Sequence, residues 1–254
     1  PRARRSEQET ARLKLLWAPV TLPGLSTTFT FEHTEFNRPQ TQNVAIDDGV
    51  GNFTGVDWED QISNNINGFP SAFFGTTKSF INDFEYDFGN GLSLRNQFIY
   101  TDAESTRVTN APGETPIPSL STTRSNEFIL DYAPEGSAFS GIFGVFLSET
   151  DTGLAPGATI AGQPASSVAI VQSAGVFTDA TFDLGNGFDL TGGLRFERNK
   201  QDRELEAPGV GISQGQGTAL DYQGEFEAVL PSITLGFEPR EDLRFALKAS
   251  QGFN

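Results

Sequence analysis

The 254-residue chain has no Cys, no Met and a net charge of −16, which excludes disulfides, thiolate metal sites and a cysteine nucleophile and opposes binding to nucleic-acid phosphates. Only 37% of residues are hydrophobic, yet there are 23 Phe and 27 Gly, a composition suited to many strands joined by tight turns. Pro1 to Glu7 has no apolar stretch of the signal-peptide kind, so the chain reads as a mature or partial product. No apolar run approaches the roughly 18 residues of a membrane helix, whereas a membrane β-strand needs only about 9 to 11 and shows lipid every second side chain.

In chain order the hydrophobic period is two. In Glu9 to Trp17 the residues Leu13, Leu15 and Trp17 share one face, and Leu25 to Glu35 follows after a short connection. In the next segment, Thr77 to Phe88, the residues Phe80, Phe84, Tyr86 and Phe88 share one face, while Asp83, Glu85 and Asp87 share the other. Gly89-Asn90-Gly91 then leads into Leu92 to Thr106, with Leu92, Leu94, Phe98 and Tyr100 on one side. Asn-Gly between alternating segments is a strong hairpin signal, because both residues tolerate positive φ. The same test gives strands at Thr122 to Tyr132, Ala138 to Thr150, Gln172 to Leu184, Phe188 to Arg203, Tyr222 to Phe237 and Leu243 to Phe253. Phe182 to Leu190 repeats the pattern of Tyr86 to Leu94 almost position for position, which makes the hairpin the repeating unit.

The connections alternate between short and long, so an antiparallel meander has all its short turns at one end. Outer-membrane barrels share that polarity, with short periplasmic turns and long extracellular loops. Faces such as Phe128, Leu130 and Tyr132, or Ile233, Leu235 and Phe237, carry no ionised residue, as lipid contact requires. Trp17, Phe88, Tyr132, Phe188 and Phe237 flank the short turns, where an aromatic girdle belongs. The expected fold class is therefore all-β, an antiparallel transmembrane β-barrel.

The segment Leu230 to Pro239, which opens Leu-Pro and ends in a short acidic turn, and Leu243 to Phe253, which ends Ser-Gln-Gly-Phe, resemble TonB-dependent outer-membrane receptors. Arg12 to Pro19 is similar to a family strand entering a periplasmic turn. The resemblance implies a barrel of about 22 strands around a plug domain. Residues 1–254 would then be a ten-strand internal part of it, without the plug or the C-terminal strands. It also implies TonB-dependent uptake of a scarce ligand such as a ferric siderophore, with the TonB complex engaged through the plug and lipid and lipopolysaccharide around the wall. Neither an enzyme nor a cofactor is expected; a passive porin or adhesin barrel is the alternative, ahead of a barrel protease.

The candidate site residues follow from this layout. Trp58, Phe73 and Phe74 fall in the longest predicted loop, Phe36 to Thr76, and are the candidate ligand contacts, since Trp and Phe offer large contact area on loops held by a rigid scaffold. Arg107, Arg198, Lys200 and Arg203 gather towards the outer leaflet, as lipopolysaccharide contacts. Lumen positions mix Asp83, Glu85, Asp131, Asp189 and Glu197 with Arg95, Arg195, Arg244 and Lys248, a balance that favours a neutral or cationic chelate over a polyanion. No metal site is assigned: Asp47 to Asn52 lacks calcium-loop spacing and reads as a turn, and His33, the single histidine, reads as an interfacial residue.

Overall fold

The computed structural model describes residues 6–39, 65–66, 69–109, 116–160, 163–207 and 218–252. Among them, ten long strands form one antiparallel sheet in which each pairs with its neighbours in chain order. They are β1 (Glu7–Trp17), β2 (Leu25–Pro39), β4 (Phe69–Gly89), β5 (Leu92–Thr109), β6 (Ile117–Tyr132), β7 (Phe139–Leu154), β10 (Ser166–Gly185), β11 (Phe188–Ala207), β12 (Thr218–Arg240) and β13 (Leu243–Ser250). The two-residue β3 (Asn65–Ile66) pairs with β4, and β8 (Thr159–Ile160) pairs with β9 (Gln163–Pro164).

The two Asn-Gly connections fold as their sequence demands. Asn90 and Gly91 have φ of 55° and 73°, and Asn186 and Gly187 have 53° and 80°, the positive values of a type I′ turn. Each turn is braced from the strand before it: the Asp87 carboxylate accepts the Gly89 N–H, and the Asp183 carboxylate accepts the Gly185 N–H, both at 2.8 Å.

Directly opposed residues in an antiparallel ladder share a face, so the register sorts every side chain. One rung runs Trp17, Thr27, Phe84, Asn96, Phe128, Val145, Val176, Phe196 and Val229 across nine strands. This is the apolar face. It is also the more open one: along β6, Leu120, Arg124, Phe128, Leu130 and Tyr132 are exposed while the alternate residues are half-buried. Side chains fan apart on the convex side of a curved sheet, which makes the apolar face the outside. Among the described residues Ala158 is the only buried apolar side chain, so no interior core holds the sheet.

The apolar belt crosses the rungs obliquely. On one rung the outer face reads Leu13, Phe31, Phe80 and Tyr100 in β1 to β5, then Arg124, Glu149, Gln172, Lys200 and Glu225 in β6 to β12. At the rung of Phe139, Phe182, Leu190, Leu235 and Leu247, past the turn ends of β1 to β6, the belt continues on the later strands. A level apolar band on tilted strands must step in this way, and closure of a barrel requires such tilt.

Two polar pairs interrupt the belt. The Asn96 amide donates to Asn126 Oδ1 at 2.7 Å and to the Glu127 carbonyl at 2.8 Å; the Asn82 amide donates to Thr27 Oγ1 at 2.7 Å. Lying on the sheet, these amides meet part of their hydrogen-bonding need within it.

Nine of the ten long strands extend beyond their sequence-predicted outer ends, while β13 ends at Ser250 rather than Phe253. β4 begins at Phe69 rather than Thr77, β6 at Ile117 rather than Thr122, and β12 at Thr218 rather than Tyr222. Phe73 and Phe74, expected in a loop, therefore lie in β4. Beyond the apolar belt both faces are polar, so period-two hydrophobicity ends before the hydrogen-bond ladder does.

Candidate functional site

The inner, polar face offers the ligand-sized chemistry. Its half nearer the turns is a carboxylate-rich network. Gln97 donates to Asp83 at 2.7 Å, Arg95 approaches Asp131 at 3.7 Å, and Arg244 grips both oxygens of Asp189 at 3.0 and 2.8 Å. Arg195 pairs with Glu197 and lies 5.9 Å from the Phe177 ring centre.

The half away from the turns is different. Hydroxyls face one another across strands: Thr10 with Thr34 at 3.0 Å, Ser121 with Thr152 at 3.1 Å, and Thr123 with Thr150 at 3.2 Å. Above them Phe73 stands directly between Arg38 on β2 and Arg107 on β5. The Arg38 guanidinium lies 5.2 Å from the Phe36 ring centre and donates to Gln8 Oε1 at 3.0 Å. Gly75 permits close backbone approach here: a Cβ would collide with the Glu104 carbonyl oxygen and the Ser105 Cα and would also crowd Phe36 Cζ at 3.0 Å. Arg203 occupies the same face on β11, opposite Ala169 and Tyr222.

The predicted contacts thus separate. Phe73 points to the inner face and Phe74 to the outer, by alternation along β4. Trp58 lies outside the described residues, as does the turn Asp47 to Asn52. Of the four basic residues grouped by sequence, Arg107 and Arg203 share the inner face, while Arg198 and Lys200 stand on the outer face just beyond the apolar belt. There Arg198 pairs with Glu225 at 2.7 Å and Glu227 at 3.7 Å, and Lys200 with Asp202 at 3.2 Å. Arg124, which sequence reasoning passed over, completes an outer cleft of about 470 Å³ with Arg198, Lys200, Leu147 and Ala174. His33 contacts Glu35 at 3.1 Å on the outer face.

An all-antiparallel sheet with an apolar outer belt and a hydroxyl- and arginine-lined inner face is the wall of a large barrel. The profile described as TonB dependent receptor-like, beta-barrel matches residues 19–254. The chain belongs to the TonB-dependent receptor family. Solved structures agree on the fold of this receptor barrel segment. It superposes on the ferric yersiniabactin uptake receptor FyuA from Yersinia pestis with a TM-score of 0.74 at 15% identity, covering 96% of this chain and 37% of that one. The ferric-catecholate import receptor Fiu from E. coli K12, in its open form, gives 0.70 at 11% identity, covering 96% of this chain and 46% of that one. The ferric citrate transporter FecA, unliganded, gives 0.67 at 13% identity, with 96% and 36% covered. The receptor segment thus spans less than half the length of these structures.

Proposed function

We propose that this chain forms part of the barrel of an outer-membrane receptor that imports a scarce ligand, a ferric siderophore or similar chelate, in a TonB-dependent manner. The observation that carries the reading is the match to receptor barrels over 96% of the chain, joined to an inner face that carries charged and hydroxyl side chains at every height opposite an apolar outer belt. In the intact receptor the wall would have about 22 strands around a plug, through which the TonB complex acts. The short turns then face the periplasm, and the apolar belt meets outer-membrane lipid.

Within this reading Phe73 is the ligand contact on the wall, with Trp58 a further candidate in the long connection before it. Phe74, on the outer face, serves instead to anchor the wall above the belt. Arg198 and Lys200, joined by Arg124, are the contacts for outer-leaflet lipopolysaccharide phosphate, because their heads extend beyond apolar floor residues at the belt's edge. Arg107 and Arg203 face the ligand path.

The test is uptake by cells carrying the intact receptor, with and without TonB. Replacing Phe73 by Ala should reduce ligand affinity about tenfold or more, the loss typical of a central aromatic contact. Replacing Phe74 should not. Uptake unchanged by loss of TonB would refute the reading and favour a passive channel, which would also conduct ions without any energy-coupling partner.

A further inference from the structure

The inner face is sorted by charge. From the rung that joins Lys14, Thr30 and Ile81 to Asn199, outward from the short turns, Glu32 is the only carboxylate among the described inner-face residues. It is already paired with Arg12. Arg38, Arg107 and Arg203 stand on the same surface, and among the described residues no carboxylate pairs with them. Towards the turns carboxylates predominate: Asp83, Glu85, Glu127, Asp131, Asp179, Asp189 and Glu197 outnumber Arg95, Arg195, Arg244 and Lys248 on the inner face.

This sorting runs against the composition, since the chain carries 33 Asp and Glu against 17 Lys and Arg. At the same height on the outer face, Glu9, Glu35, Asp102, Glu104, Asp151 and Glu204 take alternate positions on the same strands. At this height the inner face carries Arg12, Lys14, Arg38, Arg107 and Arg203 against Glu32 alone, whereas the outer face mixes its acids with Lys78, Arg124 and Lys200.

We infer that the outer half of the inner face is an anion site, and that the imported ligand is a polyanionic metal chelate with a planar donor group. The inference rests on the uptake reading above and names its ligand class. Arg38 and Arg107 flank Phe73 from strands on either side of β4, so their backbones stand about 10 Å apart, the width of two strand spacings. Guanidinium forks borne on strands that far apart, with Arg38 exchanging its bond to Gln8 for the ligand, bracket a chelate of several carboxylate or catecholate oxygens, and each fork matches a pair of anionic oxygens in its own plane. Phe73 between them and Phe36 beside Arg38 provide faces on which a planar ring can lie. The hydroxyl rows beneath donate to anionic oxygens without adding charge, and the carboxylates deeper in repel a bound anion from settling further down before transport. A cationic or neutral chelate would gain nothing from the three arginines.

Binding of three probes to the purified full receptor tests this directly: ferric citrate and a ferric tris-catecholate as anions, and a ferric trishydroxamate without negative charge. At least one anion should bind, and its affinity should fall as salt rises from 50 to 200 mM while trishydroxamate binding does not respond. The Arg38→Gln, Arg107→Gln, Arg203→Gln variant should lose at least tenfold in affinity for that anion. The salt response of the unaltered receptor needs no variant to fold. Preference for the trishydroxamate, binding of neither anion, or anion binding insensitive to both salt and the triple substitution overturns the inference. TonB-dependent import of the trishydroxamate alone would leave the uptake reading standing without it. Salt-sensitive anion binding without TonB-dependent import would do the reverse.

Discussion

The ring of Phe177 fills the space over Gly144, its directly opposed partner on the inner face, where any Cβ would collide with it. An aromatic ring laid across a strand glycine shields backbone that would otherwise be bare, and the glycine lets the ring lie close to the sheet. Gly144→Val should therefore cost about 1 to 3 kcal/mol, the usual range for overpacking. The check is the midpoint of heat-induced unfolding of the intact receptor in detergent, followed by gel mobility. A second variant, Gly144→Val with Phe177→Ala, should recover part of the loss.

Asn186 holds a φ of 53°, which a β-branched residue resists. Asn186→Val is expected to destabilise the β10–β11 hairpin by about 1 to 2 kcal/mol, the penalty of left-handed backbone for a side chain with crowded Cβ. Asn186→Gly should lie within about 0.5 kcal/mol of the unaltered protein, because glycine accepts the same turn freely. Urea unfolding of receptor in lipid vesicles separates the two.

Leu194 lies on the outer face within the belt, while its neighbour Arg195 lies on the inner face. Leu194→Arg should lower stability by about 2 to 4 kcal/mol if the site is near mid-bilayer. A charge at Thr191, on the inner face of the same strand, should cost far less. The contrast between the two substitutions, rather than either alone, tests the sidedness.

The Asn96 and Asn126 amides are joined within the belt at 2.7 Å. Asn126→Leu alone leaves Asn96 with a lost acceptor and should destabilise the protein, whereas Asn96→Leu with Asn126→Leu removes both polar groups and should be near neutral or stabilising. The double-mutant cycle measures the coupling, expected at about 0.5 to 1.5 kcal/mol for one such bond. A double substitution costing the sum of the two singles would refute it.

The turn ends of the strands were legible to within about a residue, because Gly, Asn and Asp mark them through backbone chemistry that acts locally, except at β12, which runs to Arg240 rather than Phe237. β5 and β11 start at Leu92 and Phe188, as the sequence predicts. The opposite ends were not, since Thr106 to Thr109 or Thr218 to Asp221 carry no apolar alternation that distinguishes strand from loop. The site suffered from the same blindness. Placing Phe73 in a loop hid its parity, and without parity the basic residues looked like a single group instead of two sets on opposite faces. The missing signal was available in continuity: counting by twos from Asp83 and Thr34 outward reaches Phe73 and Arg38 on one side of the sheet. The short inner-face contacts between strands were beyond reach, because they depend on register across long connections.

The oblique course of the apolar belt makes the bilayer a proofreader of strand pairing. A slip of one residue between β10 and β11 would turn Arg195 and Glu197 into hydrocarbon and withdraw Phe196 and Leu194 from it. A slip of two restores the sides, and in a level pattern it would pass unnoticed. Here it would not, because each strand's belt begins and ends at its own height: moving β11 two residues towards the turns would pull Arg198 into the layer of Val176 and Val229. Misregistered hairpins are thus rejected by depth as well as by side, before any contact with a ligand or plug could select the correct one.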